Sequence, residues 1–327
     1  MTARPRNRWA VGALLALLLP AALSRPGSAA EGASGIELRD DEAGRVEILI
    51  DGRPAIVYRY GEGVDLPHYL LYSPSGKLMT IEHPETFPHH RSVWFADKVQ
   101  LAGKRVVSFY NALYSRVDKN DPTSPFRDYI RHVEFTPGDV AKDHATAATK
   151  LLWVMDQDTP VLDETRSMRI VALGGGEYLL DVTFTVTASY GDVTFASDAT
   201  HYAWPYVRMA PGFSVESGGT MTNSEGAINQ KGTHGQVATW LDYSNTVEGV
   251  PEGLAVFSHT DNAHPHRWLT RDYGTFGPRR IDERSGKQFT LKQGESLALR
   301  VGILVHRGDV EGGKVTERYE KYVAGTL

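Results

Sequence analysis

The chain has 327 residues, 35 basic and 40 acidic side chains and no cysteine. Without cysteine there are no disulfides, no thiolate catalysis and no cysteine zinc site. The net charge of −5 gives no basic footprint for nucleic acid or for an anionic lipid surface.

The first thirty residues divide into three zones. Arg4, Arg6 and Arg8 form a positive region, Val11 to Leu19 an apolar core ended by Pro20, and Ser28 and Ala30 a pair of small residues. This order predicts a signal peptide cleaved after Ala30. The apolar run is shorter than the roughly 20 residues that a bilayer span needs. Removing residues 1–30 leaves 31 basic against 40 acidic residues, a charge of −9. No cysteine follows the apolar core and the arginines are not adjacent, so neither a lipid anchor nor a twin-arginine signal is expected. The expected product is secreted or periplasmic, with no membrane attachment after cleavage.

Residues 31–327 are expected to form a single β domain. Arg45–Ile50 alternates, Asp51-Gly52 supplies a turn, and Ala55–Tyr60 reads as the partner strand of a hairpin. Asp118–Arg127, with two prolines and no periodicity, reads as an exposed loop. Lys150–Met155 is a short apolar run, and Arg166–Ala172 stops at Gly174-Gly175-Gly176. In Tyr178–Ala188, Leu180, Val182, Phe184 and Val186 share one face and Asp181, Thr183, Thr185 and Thr187 the other. That is the period of a half-buried antiparallel strand. Gly253–Ser258, Gln288–Leu291 and Ser296–Val305 add strands, and only Lys314–Val323 has helical composition. Many short strands at close spacing predict an all-β fold, a large antiparallel β-sandwich.

Seven of the twelve histidines lie in three stretches. The first, Glu82–Asp97, holds His83, His89, His90 and Arg91, and leads into Trp94. Prolines at 84 and 88 make it a loop, and adjacent His89 and His90 would point opposite ways if extended. The second, His259–Trp268, holds His264, His266, Arg267 and Trp268 at a strand end, with Asp272 soon after. The third is looser and holds His201, Trp204 and Arg208; Glu225 and His234 lie beyond it. Imidazole both takes and gives protons near neutrality. Arginine holds an oxyanion in a planar fork, and aromatic faces pack on the C–H surface of a sugar.

The sequence therefore predicts catalytic roles for His89, His90, His264, His266 and Glu225. Arg91, Trp94, His201, Trp204, Arg208, Arg267, Trp268 and Asp272 are expected to bind substrate. The expected partner is a small molecule or oligosaccharide; nothing sets an oligomeric state. No organic cofactor is expected. A divalent metal held by His264, His266 and His89 or His90 is the competing chemistry, although no established ligand spacing is present. No G-x-S-x-G elbow occurs.

Four blocks resemble the secreted bacterial family labelled PmoA-like or methane oxygenase PmoA. They are PHHRSVWFA (88–96), GTMTNSEGAIN (219–229), ATWLDYS (238–244) and GLAVFSHTDNAHPHRWLTRDYGTFG (253–277). The chain departs from that pattern at Phe87, where histidine is usual, and at Ala199–Tyr202, where Lys-Glu-Gly is usual. The resemblance implies a β-sandwich similar to the supersandwich of galactose mutarotases, and saccharide chemistry run by histidine with a carboxylate. The leading expectation is a cofactor-independent acid–base enzyme acting on a glycoside or keto-sugar, of epimerase, lyase or hydrolase type. The lost Lys-Glu-Gly segment suits a non-catalytic carbohydrate-binding or structural protein instead. A metal-dependent oxygenase is what the family's label suggests.

Overall fold

Asp51 and Gly52 both have positive φ, 51° and 73°, the backbone that a tight hairpin turn demands. They join Arg45–Ile50 to Arg53–Arg59 in antiparallel register. This hairpin belongs to a computed structural model that describes residues 35–196, 202–262, 266–279 and 287–327. One compact unit holds all of them.

The hairpin lies near one edge of an eight-stranded sheet. Its order is Ile36–Asp40, Arg45–Ile50, Arg53–Arg59, His68–Leu71, Val93–Trp94, Tyr206–Arg208, Thr275–Pro278 and Trp268–Thr270. A second eight-stranded sheet runs Thr220–Asn223, Trp240–Val247, Val250–Ser258, Ser296–Arg307, Glu177–Thr187, Thr159–Gly174, His144–Met155 and Tyr129–Val140. A four-stranded sheet orders Phe289–Leu291, Val193–Phe195, Lys98–Leu101 and Val106–Ser108. Every named strand pair is antiparallel, as between Glu177–Thr187 and its neighbours on either side.

The two large sheets pack face to face. Ile48, Ile56, Leu71, Leu180, Val182, Val256 and Ile303 belong to one buried cluster that spans both. Leu180, Val182, Phe184 and Val186 are buried while Thr183, Thr185 and Thr187 are half-exposed, as the alternation predicts. The tyrosine hydroxyl of Tyr178 reaches across to the carbonyls of Ala55 and Tyr72 at 2.8 and 3.0 Å. The other face of the second sheet carries Leu179, Ala255, Phe257 and Leu304, and the helix Val315–Val323 covers it with Val315 and Tyr322. The architecture is an all-β sandwich of large antiparallel sheets.

Two features escape the sequence pattern. Tyr129–Val140 forms an edge strand although it contains Pro137 and Gly138. An edge position tolerates proline because one side of the strand has no partner. Val93–Trp94 and Tyr206–Arg208 are two and three residues long, too short to show a period, yet they join the two halves of the first sheet.

Candidate active site

Alternation along the short strands at the middle of the first sheet separates two sets of side chains. Phe276 turns toward the second sheet and meets Tyr243 at 4.8 Å between ring centroids. Its neighbour Thr275 points the other way and pairs with Arg208 across the ladder. Tyr206 pairs with Trp94 and Trp94 with His68, so His68, Trp94, Tyr206, Arg208 and Thr275 occupy one face. The loop Glu82–Arg91 and the turn of 3-10 helix Phe109–Tyr114 cover that face.

The loop is held by a buried ion pair. Arg91 is fully buried and donates to Asp65 at 2.6, 2.7 and 3.0 Å. Its Nη1 also donates to the carbonyls of Pro88 and His90, at 2.8 and 3.1 Å. The His90 amide closes a turn onto the Phe87 carbonyl at 2.9 Å. Because the segment is a turn rather than extended, His89 and His90 do not diverge as expected. Their rings lie 4.7 Å apart, and both contact Tyr110.

A column of rings runs through the site. Tyr206 stacks on Trp94 at 4.8 Å, Trp94 meets His90 at 5.3 Å, His90 stacks on Phe87 at 4.9 Å and Phe87 on Tyr273 at 5.0 Å. The Arg208 guanidinium lies 4.7 Å from the centroid of the Tyr273 ring. Arg208 and Tyr206 share a strand, so the column starts and ends on the same element.

The two histidines of the loop differ in what they can do. His90 is buried, with Nε2 at 3.0 Å from the Tyr110 hydroxyl and Nδ1 at 3.3 Å from Thr275 Oγ1. Burial first, then the charges of His89 and Arg208, push its pKa down to about 3. It is neutral at physiological pH and both its nitrogens are engaged. His89 is half-buried, and its Nδ1 lies 3.1 Å from the Tyr114 hydroxyl. Burial and the charge of Arg91 hold its pKa below the ordinary value. Its Nε2 has no protein partner among the described residues, so a neutral imidazole keeps one nitrogen available.

A second polar group lies along the strand Trp268–Thr270 and the turn after it. His234 Nδ1 accepts from the Thr270 amide at 3.2 Å and from Arg271 Nη1 at 3.0 Å. Arg279 Nη2 lies 3.3 Å from His234 Nε2. Arg208 Nη1 donates to the Tyr273 carbonyl, and Tyr243 donates to the Arg271 carbonyl. Gly274, with φ of 103°, closes the turn by donating to Arg271.

The sequence-predicted residues divide between this site and the scaffold. His89, His90, Trp94 and Arg208 come together, but Trp94 was expected to bind substrate and is instead fully buried against Tyr206 and His90. Arg91 was expected to hold substrate, and it is instead the buried clamp on Asp65. His266 was expected as an acid or base; it is buried with Nδ1 at 3.0 Å from Ser258 Oγ on the second sheet. Trp204 and Trp268 are buried, not sugar platforms, and donate from Nε1 to Asp97 and to the Ala238 carbonyl, each at 2.9 Å. Asp272 accepts from the Gln230 amide at 2.7 Å, Arg267 is exposed and donates to the Gly235 carbonyl at 3.0 Å, and Glu225 sits on an exposed turn beside Ser224. His201 and His264 lie outside the described residues. Among the described residues no three histidine or carboxylate side chains are grouped to hold a metal ion. Tyr110, Arg271, Tyr273 and Phe87 were missed as site residues, although Arg271 and Tyr273 stand in the R-D-Y-G run.

The chain belongs to the family of unknown function DUF6807, whose model matches residues 45–320. This corrects the PmoA-like assignment read from the four blocks, because the family that matches is one of unknown function and nothing in the match points to a methane oxygenase. No curated protein sequence matches the chain. Similar solved structures include two GH36 α-galactosidases of Geobacillus stearothermophilus. AgaB is 9% identical, with 85% of this chain and 42% of that one covered and a TM-score of 0.50. AgaA is 10% identical, with 85% and 41% covered and a TM-score of 0.47. The galactose 1-epimerase of Lactobacillus acidophilus NCFM is 11% identical, with 83% and 97% covered and a TM-score of 0.37. The chain thus spans about two fifths of the length of the α-galactosidases, and at such identities the likeness to AgaB is one of fold alone.

Proposed function

We propose that this DUF6807 member is a secreted or periplasmic, carbohydrate-active protein that transfers protons through His89. One observation carries the reading. His89 is a neutral, half-buried imidazole with one nitrogen engaged by Tyr114 and the other unclaimed among the described residues. Such a group is a general base at neutral pH, and its conjugate acid returns the proton. Epimerisation, β-elimination and hydrolysis of a saccharide each need that service. The fold shared with a domain-sized part of an α-galactosidase supports the substrate class.

The surrounding residues then take roles. Tyr110, fixed by His90, presents a ring and a hydroxyl beside His89. Arg271 supplies positive charge for an oxygen that becomes negative as the proton leaves. His90 positions Tyr110 and takes no proton. None of these steps calls for an organic cofactor. The proposed signal peptide, residues 1–30, places this chemistry outside the cytoplasm.

The test is a saccharide panel incubated with the mature chain in deuterated water and followed by NMR. His89→Gln is expected to cut kcat/KM by about 10²–10⁴-fold while binding persists. If no saccharide turns over and His89→Gln weakens binding alone, the protein is a carbohydrate binder. Both engaged nitrogens of His90 favour that second reading, since they leave a single imidazole for catalysis.

A further inference from the structure

We propose that the site takes an anionic saccharide, a uronate-type sugar whose carboxylate lies against Arg208 and Arg271. This rests on the carbohydrate reading above and names its substrate class.

Four arginines are buried among the described residues, Arg91, Arg166, Arg208 and Arg279, and the first three differ in one respect. Arg91 holds Asp65 at 2.6 Å, and Arg166 holds Glu164 at 2.6 Å. Arg208 is 6% exposed, and no carboxylate among the described residues pairs with it. Its Nη1 reaches only a backbone carbonyl, at Tyr273, and its buried Nε has no hydrogen-bond acceptor. A guanidinium taken out of water without a counter-charge is costly. Burial holds the pKa of Arg208 below its ordinary value, and the acidic groups acting on it are Tyr273, Tyr243 and Glu216, none in ion-pair contact. Inside the chain, Arg91 and Arg166 find what Arg208 lacks.

Arg271 repeats the pattern nearer the surface. It is half-buried, and its Nη1 is fixed by the Thr270 carbonyl at 2.8 Å and by His234 at 3.0 Å. The Nε–Nη2 edge of the fork meets no protein oxygen among the described residues. The adjacent carboxylate, Asp272, forms no ion pair with it among the described residues; its Oδ1 takes the Gln230 amide. Arg208 meets the Arg271–Gly274 turn at the Tyr273 carbonyl and Arg271 opens that turn; in the proposal one ligand anion serves both. A planar carboxylate matches the fork of two parallel N–H donors. A sulfate ester offers the same charge with tetrahedral oxygens, so the test separates the two.

The experiment is calorimetric titration of the full chain. The ligands are oligosaccharides of glucuronate, galacturonate and mannuronate, their neutral methyl esters, and galactose 6-sulfate. At least one uronate is expected to bind tenfold or more tightly than its own methyl ester. The preference should shrink with added salt and fall to near unity in Arg271→Gln. Arg208→Met should do the same; if it fails to fold, Arg271→Gln alone carries the comparison. Equal binding of acid and ester, or an unchanged preference in Arg271→Gln, overturns the anionic substrate and leaves the carbohydrate reading standing. Preference for the sulfate ester over every uronate overturns the carboxylate. Binding of no saccharide, charged or neutral, overturns this proposal together with the reading it rests on.

Discussion

Replacing Asp65 by asparagine would remove the negative partner of Arg91 and keep the shape of the side chain. The pair is closed to solvent, with Arg91 at 0% and Asp65 at 2% exposure, and it has three contacts within 3.0 Å. Breaking such a buried pair by removing one partner costs about 3–5 kcal/mol, because the other charge stays buried. Two backbone acceptors, the carbonyls of Pro88 and His90, remain to Arg91, which points to the lower end. A loss of about 3 kcal/mol corresponds to a fall in Tm of about 5 °C for a domain of about 290 residues, whose unfolding entropy is about 2.1 cal/mol/K per residue. Differential scanning calorimetry at neutral pH measures it. The double variant Asp65→Leu/Arg91→Met should recover most of the loss, since a well-packed apolar pair often equals a buried ionic one. A Tm within about 2 °C of the wild type for Asp65→Asn would refute the assignment of Arg91 as a structural clamp. In that case Arg91 returns to the list of groups available to a ligand.

Three further outcomes follow from other buried groups. Burial favours the neutral form of Glu82, but its bond to His68 at 2.5 Å and the charges of His68 and Arg59 outweigh this and bring its pKa down to about 2. Its stabilisation is therefore present above the ordinary value of 4.5 and lost as pH falls toward 2; Glu82→Gln should flatten acid unfolding over that interval, as urea titrations will show. Burial opposes the charged form of His306, yet Asp242, 2.7 Å away, raises its pKa above 6.5. That contribution is full below pH 6.5 and disappears as pH rises through the raised value, so His306→Gln should narrow the difference in stability between mildly acidic and alkaline pH. Finally, a Cβ at Gly277 would fall 2.1 Å from the Pro205 carbonyl oxygen, so Gly277→Ala should lose about 1–3 kcal/mol in denaturant titration.

The parts of the fold that the sequence makes legible are those where one strand face is buried and the other is not. Glu177–Thr187 shows its alternation because threonines face away from the core. The hairpin at Asp51-Gly52 shows because its turn needs two residues that tolerate positive φ. Tyr129–Val140 does not show, because most of its side chains are exposed and burial imposes no period on them. Val93–Trp94 and Tyr206–Arg208 do not show because two or three residues contain no period at all. Their pairing joins positions more than 110 residues apart, which local pattern does not encode.

The candidate site divides along the same line. The Pro-His-His-Arg run marks a loop with two imidazoles, but it does not show that His89 and His90 lie side by side rather than diverge. What separates their chemistry is remote: Thr275 and Tyr110 occupy both nitrogens of His90, while among the described residues only Nδ1 of His89 is hydrogen-bonded, to Tyr114. The arginines make the point most sharply. Arg91, Arg166 and Arg208 are the same residue at similar burial, and for Arg91 and Arg208 nothing nearby along the chain tells the two apart. Asp65 lies 26 positions from Arg91, Glu164 only two from Arg166, and Arg208 has Tyr273 instead, 65 positions on. A guanidinium whose counter-charge is built into the chain stabilises the fold and has little left to offer a ligand. One whose counter-charge is missing gains stability when an anion arrives, and that gain is binding free energy directed at the ligand. The identity of the partner across the fold, not the residue type, thus separates the arginines of the scaffold from the one that the proposal gives to a ligand.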